Sequence, residues 1–464
     1  MFIGREAELT FFEEKYGEEK GQLLVLYGRR RVGKTETLRK FCEGKDHIFY
    51  SCIDCPDIQQ IELISGKILH KNNPASRYID KFHDWKQIFE NLAELSLQKK
   101  QLVVIDEFPY MVLHNPAIPS ILQNIWDSVL KDRNICLILC GSAMSFIEKE
   151  ILAEKNPLYG RATGILKMNE MDFYDAIKFF PGFTPEDKVA AYSVLGGIPH
   201  YLKQFDDKKT LKENIVSQIL QKGSILYSEV EFLLRQELRE TSVYNVIIQA
   251  VAMGNTKLND IHLKTQIEKS KISVYLKNLM DLGIVCREFP VDAGIKETAN
   301  INRGLYRLSD HYFTFWYRFV FPNQSELEAG DFEGIWKYAV EPELNEFVSF
   351  AFEKICMQYL RKENRQNKLP FHFIQIGRWW DKKNEIDIVA VDKKRENFLL
   401  GECKYKNTKI NAGDFWHLKG KFSQERGQFS YVMFSKSGFT EDVLKLAEEE
   451  SIRMVGIEEL TDMS

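Results

Sequence analysis

The sequence predicts a multidomain α/β protein, and three observations carry that reading. The chain has 464 residues, too many for one ordinary core, and the length expectation is about three domains. Residues 23–41, LLVLYGRRRVGKTETLRKF, join an apolar run to a glycine-bounded loop and the opening of a helix. Residues 384–406, NEIDIVAVDKKRENFLLGECKYK, are two further apolar runs joined by a charged turn, the pattern of a hairpin.

Composition sets the frame for these elements. With 44% apolar, 28% charged and 12% aromatic residues the chain has material for several cores. Its 63 basic and 67 acidic residues give a net charge of −4, so no global basic excess marks a nucleic-acid binder and such binding has to come from local patches. The first twenty residues, MFIGREAELTFFEEKYGEEK, are charged throughout, and no apolar run approaches the roughly 20 residues that span a bilayer. The expectation is a cytoplasmic protein with no membrane partner. Eight cysteines are scattered, several inside apolar strands such as Cys136, Cys140 and Cys403, which suits reduced, buried thiols. Cys52 and Cys55 form a CxxC without a second pair to complete a zinc site, leaving a redox pair or a strand-end coincidence.

The first element carries chemistry. Residues 28–35 fit GxxxxGK[ST] between a strand and a helix. The backbone of Gly28, Arg29, Arg30, Arg31, Val32 and Gly33 can wrap phosphates, the helix start offers unpaired N–H groups, Lys34 reaches the β- and γ-phosphates, and Thr35 ligates Mg²⁺. Residues 101–108, QLVVIDEF, are a second buried strand. It ends in Asp106, placed for the Mg²⁺ shell, and Glu107, placed to polarise an attacking water. Residues 135–143, ICLILCGSA, end a third strand at Ser142, either a sensor of the γ-phosphate or a helix N-cap. No NKxD motif reads guanine, and paired acids suit water activation, so the expected activity is ATP hydrolysis with ATP and Mg²⁺ as cofactors.

These elements, with FIGREAEL (2–9) and LGGIPHYL (195–202), resemble the archaeal-type ATPases allied to AAA+ and STAND NTPases over about the first 205 residues. The resemblance implies a P-loop ASCE ATPase core with an inserted strand over residues 1–170 and a helical lid over 171–238. It implies that Gly4, Arg5 and Glu6 border the adenine and that Pro199 lies in a lid motif that tracks nucleotide state. Arg161, in NPLYGRATG (156–164), matches a family arginine acting as a finger toward a γ-phosphate; as a residue it reads equally well as a surface or ion-paired arginine.

Over residues 239–322 the pattern changes to short helices followed by two strands. In KSKISVYLKNLMDLGIV (269–285), Ile272, Leu276 and Leu279 share a helical face with Tyr275 and Leu282, and Gly283 is a stop signal. The runs 284–289 and 305–310 then flank a polar wing over 290–304, which predicts a winged helix-turn-helix. Lys269, Lys271 and Lys277 on its exposed face either meet DNA phosphates or decorate a spacer.

The last element raises a charge problem. Alternation puts Glu385, Asp387 and Val389 on one face and Ile386, Ile388 and Ala390 on the other. If the turn is centred between Lys394 and Arg395, paired residue numbers sum to 789 and Asp387 faces Glu402 at roughly 5 Å. Two facing carboxylates need a cation, and hard oxygens suit Mg²⁺ or Mn²⁺, with Lys404 beside it; the alternative is a solvated hairpin with a cross-strand ion pair. A helix, NEFVSFAFEKICMQYL (345–360), precedes the hairpin. The order helical acid, strand acid, E-x-K resembles the PD-(D/E)xK nuclease fold, and residues 323–464 resemble the DUF234 module fused to these same ATPases. The resemblance implies a C-terminal α/β restriction-endonuclease-like domain. In it Glu353, Asp387 and Glu402 hold metal, and Asp387, Glu402 and Lys404 are catalytic. Ile386 stands where the family has the proline of its nominal PD. Trp379 and Trp380, among Arg378, Lys382 and Lys383, either stack on nucleic acid or belong to the core. The function expected is ATP-controlled, metal-dependent binding and cleavage of DNA. The alternative is an ATP-switched DNA-binding or scaffold protein whose nuclease-like domain only binds. DNA is the expected partner, with a homo-oligomer if Arg161 acts across a subunit contact.

Overall fold

Continuous runs of Val, Ile and Leu suit strands covered on both faces, and the first half of the chain uses them so. In a computed structural model, which describes residues 2–69, 73–291, 304–422 and 427–462, β1 (Gln22–Tyr27), β2 (His47–Ser51), β3 (Gln101–Asp106), β4 (Ile135–Gly141) and β5 (Gly164–Lys167) form one sheet. Its order is β2-β3-β4-β1-β5 and every neighbouring pair is parallel. β4 therefore lies between β1 and β3, the inserted strand that the resemblance implied. β1, β3 and β4 are buried along their whole length. Their carboxyl ends lie side by side, where ligands of open parallel sheets bind.

The chain divides into two compact units. One is Met1–Met171 with Ile198–His200; the other is Asp172–Gly197 with Tyr201–Ser464. Apart from Met171 and Ile198–His200, the segments expected at 171–238, 239–322 and 323–464 belong to the second unit.

Within the second unit, helices Thr241–Ala252, Leu258–Thr265 and Lys269–Asp281 precede the antiparallel pair β6 (Val285–Glu288) and β7 (Leu305–Leu308). Ile272, Leu276 and Leu279 are fully buried, while Lys269, Lys271 and Lys277 are exposed, as the helical period requires. Most of the expected wing, residues 292–303, lies outside the described residues. A buried aromatic helix follows, with Tyr312, Phe313, Phe315, Trp316 and Tyr317 all inside.

The C-terminal sheet has the order β12-β11-β10-β9-β8. Its strands are β8 (Gln375–Trp380), β9 (Glu385–Val391), β10 (Asn397–Lys404), β11 (Gln428–Ser435) and β12 (Ile452–Gly456). β8, β9 and β10 pair antiparallel, and β10, β11 and β12 pair parallel. Helix Leu344–Arg365 precedes the sheet, and helices Ala412–Lys421 and Glu441–Glu450 supply the crossovers to β11 and β12. Ile386, Val389, Phe398, Leu400, Phe415 and Leu418 belong to one buried core. Ile386 joins Val389 there, against the strict alternation expected, because two steps of β8, Gly377 to Trp379, pair with three of β9, Val389 to Ile386.

Candidate functional site

Helix Lys34–Cys42 starts at the lysine of the glycine-bounded loop, with Gly33 at φ 98° as its N-cap. Gly28 is required for a different reason. A Cβ there would collide with the carbonyl oxygen of Met168, so only glycine lets the loop leave β1 beside the end of β5. Lys34 is 6% exposed, and its Nζ donates to the carbonyls of Gly28 at 2.8 Å and Arg29 at 2.9 Å. Burial pulls its pKa below the ordinary lysine value. Arg5, expected at the adenine, is buried, and its guanidinium donates to Glu8 at 2.8 Å and to the Val32 carbonyl at 2.7 Å. The arginine thus braces the loop from behind. Gly4 and Arg5 both take positive φ, 68° and 69°, which turns the chain into the first helix. Pro199 also reaches the loop, its ring carbon 3.7 Å from where a Cβ on Gly33 would stand.

The acids of β3 meet hydroxyls. Thr35 Oγ1 donates to Asp106 Oδ2 at 2.8 Å, bringing together two hard oxygen donors of the kind Mg²⁺ takes. Glu107 stands at φ 53° as the residue before helix Phe108–His114, and its Oε2 accepts from the Ser142 hydroxyl at 2.9 Å. Ser142 caps no helix, since Ala143 occupies the N-cap of Met144–Phe146. Arg161 is ion-paired: its Nε lies 2.9 and 3.0 Å from the two carboxylate oxygens of Asp127, and its Nη2 is 2.6 Å from one of them. The hydrogen bond from Arg161 holds the Asp127 carboxyl below its usual range. Cys52 and Cys55 are free, buried thiols. Burial pushes Cys52 well up, which leaves little thiolate for redox chemistry. Asp127 is the residue that the sequence did not mark here, because nothing local ties it to a position 34 residues on.

At the other end, β9 and β10 pair with the expected register: Val391, Ala390, Val389 and Ile388 face Phe398, Leu399, Leu400 and Gly401, and each pair of numbers sums to 789. One step further, Asp387 Oδ2 accepts from the backbone N–H of Cys403 at 2.8 Å. The hairpin is not solvated at this point, for Glu402 is only 4% exposed. Glu402 Oε1 lies 2.6 Å from Lys404 Nζ and its Oε2 lies 3.1 Å from Lys421 Nζ. Burial and the facing Glu402 charge both raise the Asp387 pKa. Burial pulls Lys404 down, but the hydrogen bond and charge of Glu402, with Asp387, outweigh it and leave the lysine raised. Glu353, on helix Leu344–Arg365, is pushed up to about 7 by burial, against the pull of Arg378 and with a push from Asp387. Arg378 itself is a hub. Its guanidinium meets Glu353 at 3.2 Å, Glu288 at 3.5 Å and Glu385. Trp379 packs edge-on against Phe422 at 5.0 Å, the core option for that residue.

Carboxylate oxygens suit Mg²⁺ or Mn²⁺, yet both Glu402 oxygens already hold ammonium groups. Among the described residues no group of three or more His, Cys, Asp or Glu side chains is arranged to hold a metal ion. The sequence missed Lys421 and the Arg378 hub. Lys421 sits at the end of a helix that carries no motif. Arg378 drew notice only as a basic neighbour of the tryptophans.

Comparisons with known proteins follow the same division. Residues 2–205 match an ATPase domain predominantly from Archaea, and residues 316–415 match DUF234, a family described as archaeal and bacterial proteins of unknown function. The uncharacterized protein MJECL04 of Methanocaldococcus jannaschii is 34% identical over 409 residues, which are 88% of this chain and 88% of that protein. The uncharacterized ATP-binding protein MJ0423 of the same organism is 56% identical over 45 residues, 10% of this chain and 76% of its own. Among solved structures, the Walker-type ATPase PABY2304 of Pyrococcus abyssi has a TM-score of 0.51 at 21% identity, covering 68% of this chain and 96% of its own, a likeness of fold. Among the described residues no helix is long and apolar enough to cross a membrane. An ATPase domain of this kind implies ATP, with Mg²⁺ as its usual companion. The chain belongs to the family of archaeal-type P-loop ATPases that carry a C-terminal DUF234 region.

Proposed function

We propose that this ATPase controls a metal-dependent nuclease built into its own C-terminal sheet. One observation carries the reading: a register that sets Asp387 against the E-x-K strand, burying Glu402 and half-burying Asp387 and Lys404, which a merely solvated hairpin would leave in water. The order of helix Leu344–Arg365, three antiparallel strands and a helical crossover also fits the restriction-endonuclease-like fold. Asp387 and Glu402 would hold Mg²⁺ or Mn²⁺ with Glu353 nearby, and the ion would supply an activated water. Lys404 would orient that water or its target. Lys34 and Thr35 would hold the ATP phosphates and Mg²⁺, with Asp106 in the metal shell, and Glu107 would polarise the attacking water. Arg5 and Gly4 support the loop edge near the base, and Ser142 and Pro199 report on the phosphate end. A finger role for Arg161 would require its release from Asp127. The three helices with β6 and β7 fit a winged helix, whose exposed Lys269, Lys271 and Lys277 suit DNA phosphates.

The test is cleavage of single- and double-stranded DNA and RNA with Mg²⁺ or Mn²⁺. Asp387→Ala is expected to abolish cleavage and leave ATP turnover intact, and Lys404→Ala to keep metal and lose cleavage. Control by ATP is tested by DNA affinity without nucleotide, with ADP and with a non-hydrolysable analogue, where coupling is typically about 5- to 150-fold. A second reading, a binding domain that does not cut, draws on the lysines that occupy Glu402. It prevails if the wild type binds no divalent ion at this hairpin.

A further inference from the structure

The second unit holds a cavity of about 930 Å³. Its walls come from the end of helix Thr241–Ala252 and the turn after it, from β7, from helix Leu344–Arg365 and from the turn joining β8 to β9. Charge in the lining is unevenly spent. Glu288, Glu353 and Glu385 are engaged by Arg378, and Glu343 and Glu346 by Arg318. Asp381 accepts from the backbone N–H groups of Lys383 and Asn384. Lys257, Lys354, Lys382 and Lys383 also line the cavity, are exposed, and form no ion pair among the described residues. Arg307 also pairs with Glu288, so over the whole lining seven cationic side chains face six carboxylates, an excess of one positive charge. The four lysines are the cations that no acid holds in place, left for a ligand that brings negative charge.

The other features narrow that ligand. Trp380 lines the cavity, unlike Trp379, which is packed on Phe422. A base stacks on such a ring whatever its sequence, while spaced lysines track a backbone. Glu353 is part of the same lining, so the cavity opens onto the helical acid of the nuclease reading. Its volume falls in the range of small-ligand sites, roughly 300–1,000 Å³. One or two nucleotides of a strand fit such a space, and a duplex does not.

We propose that this cavity seats a single nucleic-acid strand, with phosphates on Lys257, Lys354, Lys382 and Lys383 and a base against Trp380. The proposal rests on the nuclease reading for the class of its ligand, but the binding itself requires no metal. The shared chemistry is a phosphodiester strand with unpaired bases, which DNA and RNA both offer.

The experiment is fluorescence anisotropy of the full chain in EDTA with labelled oligothymidylate, oligouridylate and a blunt duplex, each about 12 nucleotides long to span a typical single-strand site. The strand is expected to bind about tenfold tighter than the duplex, and its preference for deoxyribose or ribose identifies the source. Lys382→Glu with Lys383→Glu should weaken strand binding about tenfold and flatten its salt dependence by about 0.7 for each phosphate no longer neutralised. Trp380→Ala should weaken it by about fivefold or more. Lys208→Glu with Lys209→Glu, two exposed lysines outside the cavity lining, should leave strand binding unchanged. Duplex bound as tightly as strand, unchanged affinity in the Lys382 and Lys383 variant, or an equal loss from the Lys208 and Lys209 variant would each overturn the proposal. Because metal is absent, these results stand apart from those of cleavage: loss of strand binding leaves the Asp387→Ala assay to decide the nuclease, and a chain that binds strands without cutting them leaves the cavity in place.

Discussion

Asp106 and Glu107 accept hydrogen bonds from hydroxyls, Thr35 at 2.8 Å and Ser142 at 2.9 Å, whereas Glu402 is held by ammonium groups, Lys404 at 2.6 Å and Lys421 at 3.1 Å. Neutral partners position a carboxylate without cancelling its charge, so a divalent cation meets the full attraction. Cationic partners cancel much of it, and an incoming metal has to displace a lysine first. The lysines show the same contrast. Lys34 lies among loop carbonyls, and burial lowers its pKa, while the carboxylates beside Lys404 raise it despite burial. Similar residue types are thus held in different electrostatic states: at the first place the acids keep their full charge, and at the second a cation would have to compete with two lysines.

The largest expected effect tests the hydroxyl-held acids. Glu107→Gln keeps the hydrogen-bonding shape toward Ser142 but removes the charge, and ATP turnover should fall by about 10²- to 10⁴-fold with nucleotide affinity unchanged; phosphate release and calorimetry read the two separately. Full turnover in this variant would remove Glu107 from catalysis and with it half of the contrast. Lys34→Ala should weaken ATP binding by roughly 100-fold, since charge-assisted bonds to phosphate are lost, and calorimetry with a non-hydrolysable analogue checks it.

Whether the cation-held acids take a metal is tested through pH and through their lysines. Glu353 has to give up the proton that burial keeps on it up to about pH 7 before it can serve a metal. Below that value the acid is neutral and the ion competes with a proton, so Mn²⁺ affinity should rise by about tenfold between about pH 6 and 8. An affinity that is flat with pH would separate Glu353 from the metal. Lys421→Met should tighten Mn²⁺ by about tenfold by removing the competing charge, and a weaker or unchanged affinity would mean that Lys421 does not compete. The smallest effect belongs to Ser142→Ala, which should slow turnover by only several-fold, as expected for about 1 kcal/mol of one neutral hydrogen bond.

What the sequence made legible was whatever the chain settles locally. The glycine-bounded loop, the buried strands ending in Asp106 and Ser142, and the helix face of Ile272, Leu276 and Leu279 all follow from short-range pattern. The 789 register was readable because a charged turn and period-two alternation leave few other pairings. Illegible were the partners chosen in three dimensions. Ser142 finds Glu107 35 residues away, Arg161 finds Asp127 34 away, and Lys421 reaches Glu402 from a crossover helix 19 residues on. The Arg378 hub draws its acids from β6, from helix Leu344–Arg365 and from β9, an assembly that no spacing announces.

The turn between β9 and β10 has a consequence for how the pairing of these strands could be lost in evolution. Asp392 accepts from the N–H groups of Glu396 and Asn397 at 3.0 and 3.4 Å, and Arg395 adopts φ 59°, so the loop has one definite length. A single-codon insertion or deletion there leaves both strands apolar and able to pair, and where the change is taken up in the pairing rather than in the loop it shifts the register by one and turns Asp387 away from Glu402. Such a lineage would keep every acidic residue and lose the facing pair. Loop length between these strands therefore marks that pairing more sharply than the presence of the acids does.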